Sequence, residues 1–272
     1  MGAHFVRSCA VATLVIAAAA SFAGATTISG RVVVGHDANT LSSTKAGATE
    51  SRLALNIASW LTAQQMGEGP SGKSILLVQS STLDARHDIS PVVSQALADA
   101  GYSVTVTSAH DQTFTQLAQY NAVFTSLDFD HSYAFQNPAD LTQYVQQGGG
   151  VYVWAGMGPR TDVEVATLNP FLESVGLKFS EQLGGGLGGG NGIYGHTVAG
   201  THPIFSGITG TFLRSQNGGT SILTTGGLAG AQIVESFNGY GVYAVSEGVV
   251  PSPGTAVLGL AGAVLVVPRR RR

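Results

Sequence analysis

The residues best suited to chemistry in this 272-residue chain are carboxylates and imidazoles placed just after apolar runs. His36 and Asp37 follow Val32-Val-Val34, Ser80 and Ser81 follow Ile75-Leu-Leu-Val78, and Asp128, Asp130 and His131 follow the run around Phe124. If those runs are parallel strands, their carboxyl ends bring these groups to the edge where open α/β sheets bind ligands. Asp37, Asp128, Asp130 and His131 together would offer hard oxygen donors and one imidazole, a set suited to Ca²⁺ or a harder transition metal. The same spacing also describes an acidic loop solvated by water. That plainer reading is preferred, with no metal and no cofactor assigned and the four residues kept as candidates. Asp37 is read as structural, its carboxylate accepting backbone N–H groups near residues 39–41 in an Asx-type turn. Asp88, after His87, is read as capping a helix start. Asn56 is expected to face the Asp37 loop.

Nucleophiles are scarce. The only cysteine is Cys9, within the first 25 residues. No thiol is therefore left in the rest of the chain to attack a substrate or bind a metal. No Gly-x-Ser-x-Gly elbow exists to present a serine instead. The run Gly184-Gly-Gly-Leu-Gly-Gly-Gly190 lacks the Lys-Ser/Thr of a phosphate loop, and Gly156-x-Gly158 lacks the third glycine of a dinucleotide frame. Both are read as loops, and no catalytic residue is assigned. Tyr144, Tyr152, Trp154 and Tyr194 could form an aromatic sugar-binding face, but Tyr152 and Trp154 alternate on one strand face and are expected in the core. Residues 30–247 carry eight Lys/Arg against sixteen Asp/Glu, a net charge of −8. An acidic domain with no basic run is not a nucleic-acid binder.

The elements that must position these residues alternate. Strands are expected at 31–34, 74–78, 102–107, 122–125 and 151–154. Helices are expected at 51–62, 89–100, 114–120, 138–147 and 161–175, the last interrupted by Pro170. Leu53, Ile57 and Leu61 recur at helical spacing, and the 74–78 run has the continuous apolar character of a strand covered on both faces. Short buried strands joined by helices imply α/β architecture with a doubly wound, mostly parallel sheet. Past residue 180 the chain turns glycine-rich, and short C-terminal edge strands are expected. Thr201-His-Pro-Ile is expected to form a turn that tucks Ile204 and Phe205 onto the core.

Both ends read as signals. Arg7, the apolar run 11–20 and Ala23-x-Ala25 have the order of a signal peptide cleaved after Ala25. At the other end, Val250-Pro-Ser-Pro-Gly254 precedes twelve apolar residues, 256–267, and then Arg269, Arg270, Arg271 and Arg272. Four arginines resist crossing a bilayer, so a short transmembrane helix and transient inner-membrane anchoring are expected. This tail resembles the PEP-CTERM sorting signal of exported bacterial proteins, with Pro251-Ser252-Pro253-Gly254 in place of the usual Pro-Glu-Pro centre. The resemblance implies export by the translocase, signal peptidase cleavage, recognition by an exosortase-type processing enzyme, and delivery to the cell envelope or extracellular matrix.

The central residues carry a second resemblance. Gly30-Arg-Val-Val-Val-Gly-His-Asp37, the helix with Asn56 and Trp60, Gly148-Gly-Gly-Val-Tyr-Val-Trp154 and Thr201-His-Pro-Ile-Phe-Ser-Gly-Ile208 together resemble class I glutamine-amidotransferase-like domains. These include trehalose-utilisation-type and non-catalytic relatives. The resemblance implies a flavodoxin-like fold, and the missing cysteine excludes amidotransferase activity. The organisation expected is therefore a signal peptide at 1–25, an exported α/β domain at 26–248 and a sorting tail at 249–272. The function expected is that of a non-enzymatic envelope or matrix protein, with surface glycans or matrix proteins as partners. The alternative is a glycan-directed hydrolase or metal-binding domain on the same scaffold.

Overall fold

A computed structural model of the chain describes residues 29–37, 40–42, 46–63, 72–79, 88–109, 111–126, 137–155, 161–182, 194–209, 211–214, 219–226 and 228–248. The strands are β1 Arg31–Gly35, β2 Ser74–Val78, β3 Ser103–Thr107, β4 Ala122–Ser126, β5 Gly150–Trp154, β6 Leu177–Gln182, β7 Tyr194–Thr197, β8 Thr211–Arg214, β9 Thr220–Thr224, β10 Ala231–Phe237 and β11 Tyr240–Glu247. The helices are α1 Ala48–Thr62, α2 Pro91–Asp99, α3 Phe114–Leu117, α4 Pro138–Gln146 and α5 Thr161–Ser174, with a 3-10 turn at Pro203–Phe205.

The fold is mixed α/β, a nine-stranded sheet flanked by helices. Its main path runs β3-β2-β4-β5-β1-β11-β9-β6, with β10 also paired to β11 and β7-β8 forming a separate hairpin. The first five strands on that path are parallel, and β11, β9, β10 and β6 continue it antiparallel. Strand alternation gives each face its own core. Val33, Ile75, Leu77, Phe124, Tyr152 and Trp154 pack with α1, α2 and the 3-10 turn. Val32, Val34, Leu76, Val123, Val151 and Val153 pack with α3, α4 and α5. The connections leaving β1 and β2 therefore cross one face, and those leaving β3, β4 and β5 cross the other. At the β2/β4 and β5/β1 boundaries the chain departs to opposite faces, which opens the crevices where such sheets take ligands.

Local chemistry explains the element ends. Leu53, Ile57 and Leu61 are buried on α1 as their spacing requires, and the Gly47 N–H at the helix start donates to Glu50 Oε2 at 2.8 Å. The cap of α2 is Ser90, whose Oγ accepts from Val92 N at 3.2 Å, and not the expected Asp88. Pro91 then occupies the first helical turn, where its missing N–H costs nothing. Pro170 lies inside α5, and Asn169 beside it ties the helix to β6, donating to Phe179 O at 3.0 Å and accepting from Phe179 N at 2.8 Å.

Several expectations are corrected. The C-terminal strands are not merely edge strands. β11 is the longest strand among the described residues and lies inside the sheet between β1 and β9/β10. Its inner residues are buried because β1 pairs with it over five residues. The expected transmembrane helix and membrane anchoring are also corrected: no helix among the described residues is long and apolar enough to cross a membrane. The signal residues Ala23 and Ala25 and the tail residues 249–272 lie outside the described residues.

Candidate functional site

The carboxyl end of β1 holds the most densely polar part of the core. His36 continues the strand as a backbone bridge, its N–H donating to Val242 O at 3.0 Å and its carbonyl accepting from Thr220 N at 2.8 Å. One residue thus ties β1 to both β11 and the start of β9. Register then sets the neighbours. Gly35 lies opposite Trp154 on β5 and opposite Tyr243 on β11, while Val33 lies opposite Tyr152. All of these point to the α1/α2 face.

Glycine at position 35 is a packing requirement. A Cβ there would meet the Tyr152 hydroxyl at 2.8 Å, Tyr152 Cε2 at 3.3 Å and Tyr243 Cε1 at 3.4 Å. Tyr152 is itself held between Phe124, with ring centroids 5.2 Å apart, and Trp154 at 5.1 Å. Phe205 of the 3-10 turn meets the Tyr243 ring edge-on at 5.5 Å, and the His36 ring approaches it at 6.0 Å. Gly219 covers the other side of His36, where a Cβ would lie 2.6 Å from Cδ2, with φ at +39°. His36, Asp37, Thr40, Tyr152, Trp154 and Tyr243 are all 3% exposed or less.

The electrostatics follow from this enclosure. Burial raises the Tyr152 phenol well above its ordinary value, and Tyr243 and the Asp37 carboxylate push it the same way. Tyr243 is raised to about 12, mainly by burial; hydrogen bonding from Tyr152 and Thr40 opposes the shift, and Asp37 and Glu50 add to it. Both shifts hold the phenols in their neutral form at physiological pH. The Tyr243 hydroxyl lies near Tyr152 and Thr40 but meets neither at full hydrogen-bond geometry. On the other side of Gly35, Trp154 Nε1 also lacks a hydrogen-bond partner among the described residues. This part of the core therefore keeps neutral hydrogen-bonding groups among buried aromatic rings.

Of the four candidate metal ligands, only Asp37 is described, and it is buried in this cluster. Asp128, Asp130 and His131 lie outside the described residues, as do Ser80, Ser81 and His87. No group of three metal-ligating side chains occurs among the described residues. Tyr144, Tyr152 and Trp154 are core residues and form no exposed sugar-binding face. Tyr144 spans the glycine run, its ring where a Gly149 Cβ would be and its hydroxyl donating to Tyr120 O at 3.0 Å. The expected turn at Thr201-His-Pro-Ile is present and buries Ile204 and Phe205. Asn56 faces that turn and not the Asp37 loop, donating to Ile204 O at 3.1 Å and Ser206 O at 2.8 Å.

Sequence reasoning passed over Gly35, Tyr243 and Thr40. Gly35 carried a usable signal, since a lone glycine ending an apolar strand marks a close approach by another group. Tyr243 carried none, because only the β1/β11 register brings it to the site. Among the described residues, a groove of about 630 Å³ lies between α4 and α5, lined by Thr142, Gln143, Gln146 and Ser174, and another of about 470 Å³ lies between α1 and α2. No family model matches the chain, and neither a curated protein nor a solved structure does.

Proposed function

We propose that the chain is an exported, non-enzymatic protein of the cell envelope or extracellular matrix. Its α/β domain would be a flavodoxin-like, amidotransferase-like scaffold that binds or assembles without catalysing. One observation carries the non-enzymatic part. The β1/β5 crevice, where such a scaffold would present a nucleophile, is filled by Tyr152, Trp154 and Tyr243, and the Tyr152 hydroxyl occupies the place of a Gly35 side chain. Catalysis needs a reacting atom within hydrogen-bond reach of its acid or base, and buried aromatic side chains at these strand ends support a binding role over a catalytic one. Ala23-x-Ala25, Pro251-Ser252-Pro253-Gly254 and Arg269–Arg272 support export and C-terminal sorting, with signal peptidase and an exosortase-type enzyme as processing partners.

The test has two arms. Intact-mass analysis of the protein from its native cells should show a product lacking residues 1–25 and processed near residue 251. A product that still carries Met1 would overturn the export reading. Assay of the purified chain against a panel of surface glycans should show no turnover. Glycan cleavage that Asp37→Asn abolishes, at unchanged melting temperature, would make the site an active site.

A further inference from the structure

Among the described residues β3 is the outermost strand of the nine-stranded sheet and pairs only with β2. Its first residue, Ser103, donates its N–H to Lys73 O at 2.7 Å, and its last, Thr107, accepts from Gln79 N at 2.8 Å. With the two-residue period of a strand, residues 103, 105 and 107 direct their backbone groups inward. Val104 and Val106 direct theirs away from the sheet. Natural edges of this kind are usually blunted by a lysine, a proline or a bulge. β3 reads Ser-Val-Thr-Val-Thr, with an unbroken five-residue register to β2. Ser103 and Thr105 are exposed, and Val106 is 53% exposed, among the largest exposures of an apolar side chain in the described residues.

We infer that β3 is a self-pairing edge, on which a second copy of this chain adds its own β3 antiparallel about a two-fold axis at Thr105. In this register the edge is complementary to itself. With Thr105 opposite itself, Val104 of each copy falls opposite Val106 of the other. Each such pair exchanges two hydrogen bonds, so every outward N–H and C=O of both strands is satisfied at once. The side chains match as well. Valine meets valine on the face shared with α2, and threonine meets threonine at the closer, non-hydrogen-bonded position, where such pairs are favourable. Charge agrees: residues 30–247 carry a net −8 that repels a second copy over most surfaces, whereas β3 contains no charged residue. The inference rests on the strand edge alone and does not depend on the function proposed above.

Sedimentation velocity of the full chain over a concentration series tests it. The wild type should show a reversible monomer–dimer equilibrium, and Thr105→Lys, which sets two ammonium groups opposite each other, should raise the dimer dissociation constant at least tenfold. Thr105 is exposed, so an unchanged melting temperature at concentrations where the wild type is monomeric will show that the fold is intact. In a Cys9→Ser background, Thr105→Cys should form an intermolecular disulfide under mild oxidant. Val104→Cys should not, because its two copies stand two residues apart along the pair, beyond disulfide reach. A chain that stays monomeric throughout would overturn the proposal, as would a dimer indifferent to Thr105→Lys or an edge that instead captures an extended peptide.

Discussion

Gly35→Ala tests the closed site most directly. The added methyl would sit 2.8 Å from the Tyr152 hydroxyl, with two more ring carbons at 3.3 and 3.4 Å. Tyr152 cannot easily withdraw, because Phe124 and Trp154 hold its ring and it is buried. Overpacking of this kind costs about 1–3 kcal/mol. At roughly 2–4 °C per kcal/mol for a domain of this size, a cost of about 2 kcal/mol lowers the melting temperature by about 4–8 °C. Tyr152→Phe alone removes the buried hydroxyl, at a cost of about 1 kcal/mol. If the hydroxyl is the obstacle, the double variant should be more stable than the sum of the single effects by at least about 1 kcal/mol. Urea unfolding of the four proteins closes the cycle. Additivity within about 0.5 kcal/mol, or a Gly35→Ala variant as stable as wild type, would show that the hydroxyl does not fill the glycine's space.

Three further outcomes are expected. Asp37→Ala should destabilise the fold by about 1–3 kcal/mol, the range for a lost buried polar group, and Ca²⁺, Mn²⁺ or chelator should leave that loss unchanged; metal stabilisation of the wild type alone would make Asp37 a ligand. Asn56→Ala removes both hydrogen bonds that hold the 3-10 turn to α1, which should cost about 1–2 kcal/mol and speed amide exchange at residues 204–206; unchanged exchange there would refute the tether. His202, whose Nδ1 accepts from Ile204 N at 3.4 Å, is lowered from its ordinary 6.5 by burial, against the raising effect of Glu247 and with help from Arg31. The unfolded chain therefore takes up the proton first as pH falls, so His202's contribution is present above pH 6.5 and lost as pH falls through its folded value. The gap in urea midpoint between wild type and His202→Ala should narrow from pH 7.5 to pH 5.5, and a constant gap would exclude this role.

The β/α alternation was legible in the chain because each element carries its own period. Val32-Val-Val34 and Ile75-Leu-Leu-Val78 are continuous apolar runs that only a strand covered on both faces can bury, and Leu53, Ile57 and Leu61 mark one helical stripe. The turn at Pro203–Phe205 was equally legible, since proline and its neighbours dictate it locally. The ends of α2 were less so: Asp88 and Ser90 both suit a cap, and only the position of Pro91 within the first turn decides between them.

By itself, the sequence determined which segments alternate as strand and helix, that no thiol beyond Cys9 is present, and that the central residues are acidic. These are properties of composition and of spacing within about ten residues, and they need no knowledge of what packs against what. Only the tertiary structure decided that β11, more than two hundred residues after β1, lies beside it and sets Tyr243 against Gly35. It alone sent the Asn56 amide to the turn at Pro203–Phe205, away from the Asp37 loop. It also placed β3 at the rim, with the backbone groups of Val104 and Val106 directed outward. Strand order and register are settled by long-range pairing across the sheet, where a shift of one residue reverses every side chain, and no local pattern in the chain encodes that choice.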